Sequence, residues 1–301
     1  MKKFAVLLSV LILMSTAGGC GISSAQPSSN RPGNASAEIK IDEGAAVEEA
    51  SEEVSQEAAS GKAENEQLDK YFSGFDGCFV LFDQNNNEYT VYNETKSMKE
   101  ISPCSTFKIV HSLIGLETGV LQDENTAFKW DGTKYSINSW NKDQTLSTAV
   151  SNSVVWYFKK VASKVGEDKM QNFLDQINYG NKDISAGITQ FWIQASLKIS
   201  PRQQVEILKD FYNYKLPFST ANVDIVKKII RLSDQDNTVL SGKTGSGVID
   251  GRGVNGWFVG YVERNNNVFF FATNIEAKDN ASGSKAQEIT LQILKEKNIL
   301  Q

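Results

Sequence analysis

The sequence has few of the residues that build metal centres and histidine-dependent active sites, with one histidine, His111, and three cysteines among its 301 residues. Zinc hydrolases bind their metal through several His or Cys ligands, so that class of enzyme is not expected here. His111 follows Ser105 by six positions, which on a helix separates the two side chains by about 240° around the axis. We therefore expect no Ser-His-Asp triad, and we interpret His111 as a residue that packs or makes a local hydrogen bond.

The apolar stretch near the N-terminus is too short to span a bilayer comfortably, which argues against a transmembrane helix there. This stretch, residues 4–14, follows the basic pair Lys2-Lys3 and precedes small residues and Cys20, as in an export signal over residues 1–20. Residues 17–20 resemble a bacterial lipobox, which predicts cleavage before Cys20, lipidation of its thiol and anchoring on the outer face of the cytoplasmic membrane. The alternative is ordinary signal-peptidase cleavage nearby, which leaves a secreted protein.

Residues 21–66 contain few large apolar side chains and are rich in Ser, Ala, Gly and Glu, so we predict a disordered tether. Residues 1–66 carry ten acidic and five basic side chains, which accounts for the whole formal net charge of −5. The remaining residues 67–301 are therefore close to neutral, and nothing in their charge balance suggests a nucleic-acid partner. We expect these residues to form the folded domain.

The two other cysteines, Cys78 and Cys104, form either a disulfide, which export permits, or two buried free thiols. A disulfide requires a specific distance between the two Cα atoms, and the sequence does not supply that distance. Both alternatives therefore stay open.

Apolar and alternating residues predict strands near both ends of the folded domain, and helical periodicity predicts helices between them. The predicted strands are residues 77–82, 88–92, 238–245, 257–263 and 268–275. The predicted helices are residues 105–117, 149–165, 168–177, 203–212 and 284–297. This order indicates an α+β fold, in which N- and C-terminal strands form one antiparallel sheet that is flanked by helices and carries an inserted helical lobe. We expect a site in the crevice between sheet and lobe.

Ser105-Thr106-Phe107-Lys108 is the first motif that carries chemistry. Ser105 and Lys108 share a helix face because they are three positions apart, and Pro103 suits the first turn of that helix. A serine hydroxyl becomes a nucleophile when an adjacent base removes its proton, and lysine is such a base only if burial lowers its pKa. Taken alone, the motif is weak evidence, because a serine near a helix start and a solvated lysine have the same spacing.

Three further motifs follow: Ser153-Val154-Val155, Tyr179-Gly180-Asn181 and Lys243-Thr244-Gly245. The order Ser-x-x-Lys, Ser-Asp-Asn, Lys-Thr-Gly is typical of class A β-lactamases and penicillin-binding proteins, and here the middle motif is Ser-x-Val. In type and order the four motifs resemble those of class D, oxacillinase-type, serine β-lactamases of the penicillin-recognising superfamily. Phe191-Trp192 and residues 256–260 also resemble segments of that family. The resemblance covers about residues 70–300.

The resemblance implies that residues 67–301 are a catalytic domain that opens the β-lactam ring of penicillins and related antibiotics. Ser105 is expected to attack the β-lactam carbonyl and form an acyl-enzyme. Lys108 is expected to react with carbon dioxide, so that a carboxylated lysine serves as the general base; neither a metal nor another cofactor is implied. Ser153 is expected to relay a proton towards the β-lactam nitrogen, with Lys243 nearby.

The resemblance assigns supporting roles to further residues. Trp192 is expected to donate its indole N–H to the carboxylated lysine, and Val155 to line the same pocket. Lys243 and Thr244 are expected to help bind the substrate carboxylate, and Gly245 permits close approach of the backbone to a ligand.

Backbone N–H groups of Ser105 and Ser246 are expected to form the oxyanion hole, because negative charge develops there in the transition state. For Tyr179 and Asn181 the sequence leaves open whether the role is structural, at the rim of the cleft, or catalytic.

One position departs from the family pattern. Class D enzymes usually hold the substrate carboxylate with an arginine at the start of the last helix, and residues 283–289 contain none. Ala286 lies at or beside the corresponding position, with Lys285 adjacent. A lysine supplies charge but not a bidentate fork, and Lys285 is equally well explained as a solvated helix charge.

Two other functions compete with hydrolysis. A β-lactam sensor domain shares the fold, the serine and the lysine, is acylated at Ser105 and does not deacylate, but such receptors usually carry several transmembrane helices and a metalloprotease. A peptidoglycan transpeptidase or carboxypeptidase would more naturally have Ser-x-Asn than Ser153-Val154-Val155. The sequence does not reveal the preferred β-lactams or the oligomeric state.

Overall fold

The computed structural model describes residues 67–301. The predicted export signal at residues 1–20, the lipidation of Cys20 and the tether at residues 21–66 lie outside the described residues. Within residues 67–301, no helix has both the length and the apolar composition that a membrane span requires.

The strands form one large sheet and one small one. In chain order they are β1 (Asp76–Asp83), β2 (Glu88–Tyr92), β3 (Ala127–Phe128), β4 (Gln144–Thr145), β5 (Arg231–Gln235), β6 (Thr238–Ile249), β7 (Arg252–Arg264) and β8 (Asn267–Glu276). The large sheet has six strands in the order β2-β1-β8-β7-β6-β5, and all its pairs are antiparallel. Because β1 pairs with β8, the first and last strands of the domain lie side by side, which confirms the predicted α+β sheet.

The helices of the described residues are α1 (Glu94–Ser97), α2 (Lys108–Glu117), α3 (Leu146–Ser151), α4 (Val155–Val165), α5 (Glu167–Gln176), α6 (Pro201–Tyr212), α7 (Thr220–Ile229) and α8 (Gly283–Glu296). Short 3₁₀ turns occur at Asp69–Tyr71, Cys104–Phe107 and Asn138–Trp140. Helices therefore follow the N-terminal hairpin, interrupted by the short β3–β4 pair, and the strands of the large sheet resume at Arg231.

The sheet separates two hydrophobic cores, because successive side chains of a strand point to opposite faces. In β1, Val80 and Phe82 pack into the core shared with the helical lobe. Their neighbours Phe79 and Leu81 pack into the core that contains the apolar face of α8. The helical lobe and the sheet thus share one continuous core.

The structure corrects two predicted helices. Residues 149–165 are not one helix, because the chain breaks after Ser151, adopts φ +54° at Ser153 and restarts at Val155. The helix predicted from residue 105 begins as a 3₁₀ turn, and α2 starts only at Lys108. A positive φ is unfavourable for a residue with a Cβ atom, so the break at Ser153 must be held by its surroundings.

Cys78 and Cys104 are buried free thiols, so the disulfide alternative is not realised. Burial raises the pKa of Cys104 to about 11 and raises that of Cys78 as well. Both therefore behave as small packing residues and not as reactive thiolates.

Candidate active site

The Cys104–Phe107 turn brings Ser105 and Lys108 together. Residues three apart eclipse each other in a 3₁₀ turn, and the Lys108 Nζ atom lies 2.6 Å from the Ser105 Oγ atom. Cys104 precedes the turn with φ +51°, a conformation that persists only where the surrounding structure imposes it. The chain thus presents Ser105 at a sharp bend, within hydrogen-bond distance of its proposed base.

Lys108 is fully buried and forms no salt bridge with any carboxylate of residues 67–301. Desolvation holds its pKa well below the usual value, and the nearby positive charge of Lys243 lowers it further. The neutral amine has a lone pair that accepts the Ser105 hydroxyl proton. The geometry therefore supplies the unprotonated lysine that the motif requires.

Lys243 lies beside this pair and carries a different charge. It is buried on β6, and desolvation lowers its pKa to about 8, so the ammonium still predominates at neutral pH. Its Nζ atom donates to the Thr244 backbone oxygen at 3.0 Å. The site therefore combines one neutral and one cationic lysine.

Gly245 allows β6 to lie directly against the nucleophile turn. A Cβ atom at this position would be 2.9 Å from the Pro103 carbonyl oxygen and 3.3 Å from the Ser105 nitrogen. Next to it, the Ser246 Oγ atom accepts a hydrogen bond of 2.8 Å from the Gly283 N–H at the start of α8. Strand, nucleophile turn and last helix are thereby held together, while the assignment of the Ser105 and Ser246 N–H groups to an oxyanion hole stays a prediction.

Ser153 and Val155 occupy the break between α3 and α4. The Ser153 N–H donates to the Val150 carbonyl oxygen at 3.1 Å, and Val155 is the half-buried first residue of α4. Ser151, two residues before Ser153, lines the same cavity as Lys243. The break thus brings this part of the helical lobe to the edge of β6.

Trp192 packs against Phe107 and His111, which flank Lys108 in the chain, and its side chain is almost entirely buried. Its ring centroid lies 5.0 Å from that of His111, and its carbonyl oxygen accepts a 3.4 Å bond from the Ser102 hydroxyl. Within residues 67–301, its indole N–H makes no hydrogen bond. The environment fits the predicted role of Trp192 as a donor to a group on Lys108, because that N–H remains available.

Tyr179 and Asn181 occupy structural positions. Tyr179 is buried against the Phe107 ring, with centroids 5.4 Å apart. The Asn181 amide donates to the Ser196 carbonyl oxygen and accepts from the Lys198 N–H, both at 2.9 Å. Asn181 therefore holds the end of the loop that carries Trp192, and of the two roles that the sequence left open the contacts favour the structural one.

The start of α8 offers no free cation towards β6. Lys285 forms a surface ion pair with Glu288, with an N–O distance of 2.9 Å, and Ala286 is completely buried. The residue of this helix that reaches the cavity beside Lys243 is Gln287.

Sequence reasoning missed a buried polar network beneath the nucleophile. The Asn255 amide donates to the Ser102 carbonyl oxygen at 3.0 Å and to the Gln194 side-chain oxygen at 3.0 Å. The Trp257 indole N–H donates to the same carbonyl at 2.9 Å. The network fixes the segment before Ser105, and no local pattern reveals it because its members are far apart in the chain.

His111 is a buried histidine for which the structure gives a testable consequence. Both ring nitrogens lack a hydrogen-bond partner among residues 67–301, and the pKa of His111 is lowered from 6.5 to about 3, mainly by desolvation. Between pH 6.5 and 3 the unfolded chain therefore binds the proton that the folded protein excludes. We expect His111 to lower the free energy of unfolding by about 2 kcal/mol as the pH falls from 7 to 5.

Urea unfolding of the wild type and of His111→Met at pH 7, 6 and 5 measures this cost. The free energy of unfolding should fall less steeply in the variant, while groups common to both proteins cancel. Parallel curves would contradict a neutral, desolvated His111.

Comparisons with known proteins agree with this geometry. The family model described as the penicillin binding protein transpeptidase domain matches residues 77–295. The chain is 44% identical over 238 residues to the regulatory protein BlaR1 of Bacillus licheniformis, an alignment that covers 78% of this chain and 39% of that protein. It therefore spans about two fifths of the length of this regulator.

A second relative is covered over most of its length. The chain is 39% identical over 233 residues to the probable beta-lactamase YbxI of Bacillus subtilis (strain 168), covering 77% of this chain and 85% of the relative. The solved structure of the class D beta-lactamase BAT-2 superposes with a TM-score of 0.74 at 39% identity, covering 78% of this chain and 96% of that one. The similarity thus extends to both a regulator and hydrolases.

Proposed function

The chain belongs to the penicillin-binding transpeptidase family, with the fold of class D β-lactamases, and we propose that it hydrolyses β-lactams through an acyl-enzyme on Ser105. The observation that carries this proposal is the 2.6 Å approach of the Ser105 Oγ atom to a buried lysine. Since burial holds the pKa of Lys108 low, the lysine accepts a proton where a solvated ammonium could not.

In acylation, the Ser105 oxygen forms a bond to the β-lactam carbonyl carbon, and the ring C–N bond breaks. The Ser105 proton passes to the base at Lys108. The nitrogen that leaves receives a proton from the side of Ser153 and Lys243, and the Lys243 ammonium offsets the charge that develops. In deacylation, the same base removes a proton from water, and the water oxygen forms a bond to the acyl carbon. The bond between that carbon and the Ser105 oxygen then breaks, and the base returns the proton to Ser105.

A carboxyl group on Lys108 fits the residues present. Only an unprotonated amine adds carbon dioxide, and the buried Lys108 meets that condition. Once formed, the group would supply a carboxylate oxygen as the general base in place of the amine nitrogen. Trp192 would hold it through the unpaired indole N–H, and the Lys243 cation would balance its charge.

A β-lactam sensor is the second candidate, because the regulatory protein BlaR1 aligns with this chain at 44% identity. A sensor and a hydrolase share acylation and differ in deacylation. The test must therefore follow the fate of the acyl-enzyme.

Incubating the purified chain with a tenfold excess of a chromogenic cephalosporin separates the two functions. We expect all of the cephalosporin to be consumed and the acylated mass to disappear once it is exhausted. Ser105→Ala should show neither turnover nor acylation. Opening of only one equivalent of cephalosporin per protein chain, followed by a persistent acyl adduct, would support the sensor and overturn the hydrolase.

A further inference from the structure

A cavity of about 200 Å³ lies at the end of the catalytic edge of β6, next to Lys243 and Thr244. Residues of α3, α7, β5, β6, β7 and α8 line it, and four of these six elements contribute polar side chains. The polar side chains that line it are Ser151, Arg231, Lys243, Thr244 and Gln287. Of these five residues, the sequence motifs had singled out only Lys243 and Thr244.

Arg231 is placed there by the way in which β5 ends. This strand pairs only with the first part of β6, from Gln235 opposite Thr238 to Arg231 opposite Ser241. The next β6 residue, Gly242, donates its N–H to the Ile230 carbonyl oxygen at 2.9 Å. Arg231 therefore lies where the pairing of β5 with β6 ends, next to the β6 segment that carries Lys243 and Thr244.

The charge of this cavity suits an anion. Two of its lining side chains, Arg231 and Lys243, are cationic, and the described residues that line it include no carboxylate. Ser151, Thr244 and Gln287 add neutral hydrogen-bond donors. A ligand whose carboxylate is borne by the carbon bonded to the nitrogen of its reacting amide would find its countercharge here.

Arg231 is free to take part. Its Nη1 atom contacts Asp234 at 2.8 Å in a pair whose side chains are both more than half exposed, and such pairs contribute little to stability. Within residues 67–301, its Nε and Nη2 atoms have no other hydrogen-bond partner. A planar guanidinium can thus present two parallel donors to a carboxylate, which a lysine cannot.

We propose that Arg231, together with Lys243 and Thr244, binds the carboxylate of the β-lactam from the β5 side of the cleft. This inference rests on the proposed function and assigns the substrate anchor that the start of α8 lacks, where Ala286 is buried and Lys285 does not line the cavity. The anchor is a positioning group for the substrate, so its loss affects acylation efficiency and leaves the chemistry at Ser105 intact.

The test compares a cephalosporin that has a free carboxylate with its methyl ester, using the full chain. For Arg231→Met we expect acylation of Ser105 by the acid to become about 10–100-fold less efficient, mainly through weaker binding. Arg231→Met should be acylated by the ester as efficiently as the wild type is, because the ester has no carboxylate for Arg231 to bind. Arg231→Lys should recover part of the loss, as a point charge without the fork.

Arg264→Met is the matched control, because Arg264 lies opposite Thr238 at the far end of β6. It should acylate like the wild type with both compounds. Equal losses for acid and ester in Arg231→Met, or no loss, would overturn the proposal while acylation itself still supports Ser105 as nucleophile. A wild type that is not acylated, as judged by intact mass, would instead remove the proposed function.

Discussion

Replacing Lys108 by methionine is expected to lower β-lactam turnover by roughly 10³–10⁴-fold and at the same time to stabilise the fold. The activity falls because the base that lies 2.6 Å from the Ser105 oxygen is lost. Stability rises because Lys108 is fully buried without a carboxylate partner, and an apolar side chain of similar length removes that desolvation cost. A gain of about 1–2 kcal/mol in the free energy of unfolding is expected.

Lys96 provides a matched control, since it is also a buried lysine but has two carboxylate partners. Its Nζ atom lies 2.8 Å from Asp76 and 2.6 Å from Glu276. Lys96→Met should therefore destabilise the fold by about 1–2 kcal/mol and leave turnover unchanged. Urea unfolding and initial rates of cephalosporin hydrolysis measure both effects. If both variants lost stability equally, the buried Lys108 would not be strained by desolvation.

Carbon-13 NMR in labelled bicarbonate extends the comparison to the chemical state of Lys108. A carbamate resonance is expected for the wild type and for Lys96→Met, and it should be missing from Lys108→Met. An active wild type without this resonance would contradict carboxylation and leave the plain amine as the base.

The sheet could be predicted from the sequence because its strands alternate or are wholly apolar. β1 and β8 have continuous apolar runs because both faces of each strand are buried in a core, and such runs are recognisable in the sequence. β5 was not predicted, since all five of its residues are exposed and no burial pattern marks it. Arg231 escaped notice for the same reason, although it lies beside the predicted Lys243.

The candidate site was predictable where it is built from local motifs, and not where it depends on tertiary contacts. Ser105 and Lys108 are close because they are three residues apart, which the sequence alone indicates. The break at Ser153 requires φ +54° in a residue type that has no special preference for this conformation. Helical periodicity therefore predicted one helix across the break. The loop that carries Trp192 is tied at its far end by Asn181, through a contact between separate segments that sequence periodicity does not reveal.

Gly180→Ala is expected to produce the largest loss of stability among single methyl additions in the cleft, about 3–5 kcal/mol. Gly180 has φ +51°, and a Cβ atom there would lie 1.8 Å from the Lys198 carbonyl oxygen. To relieve this overlap, Lys198 or Asn181 must move. The hydrogen bonds between these two residues close the loop that carries Trp192. Turnover should therefore fall together with stability.

Gly119→Ala separates the two causes of that loss, because Gly119 also has a positive φ, +72°, but a Cβ atom there would meet nothing within 4 Å. Its cost should be limited to the backbone conformation, about 1–2 kcal/mol, with turnover unchanged. Urea unfolding of both variants and cephalosporin hydrolysis by each give the comparison. Similar losses in the two variants would mean that the Lys198 carbonyl group moves easily to accommodate the methyl group. The Tyr179-Gly180-Asn181 segment would then not be a rigid support for the loop that carries Trp192.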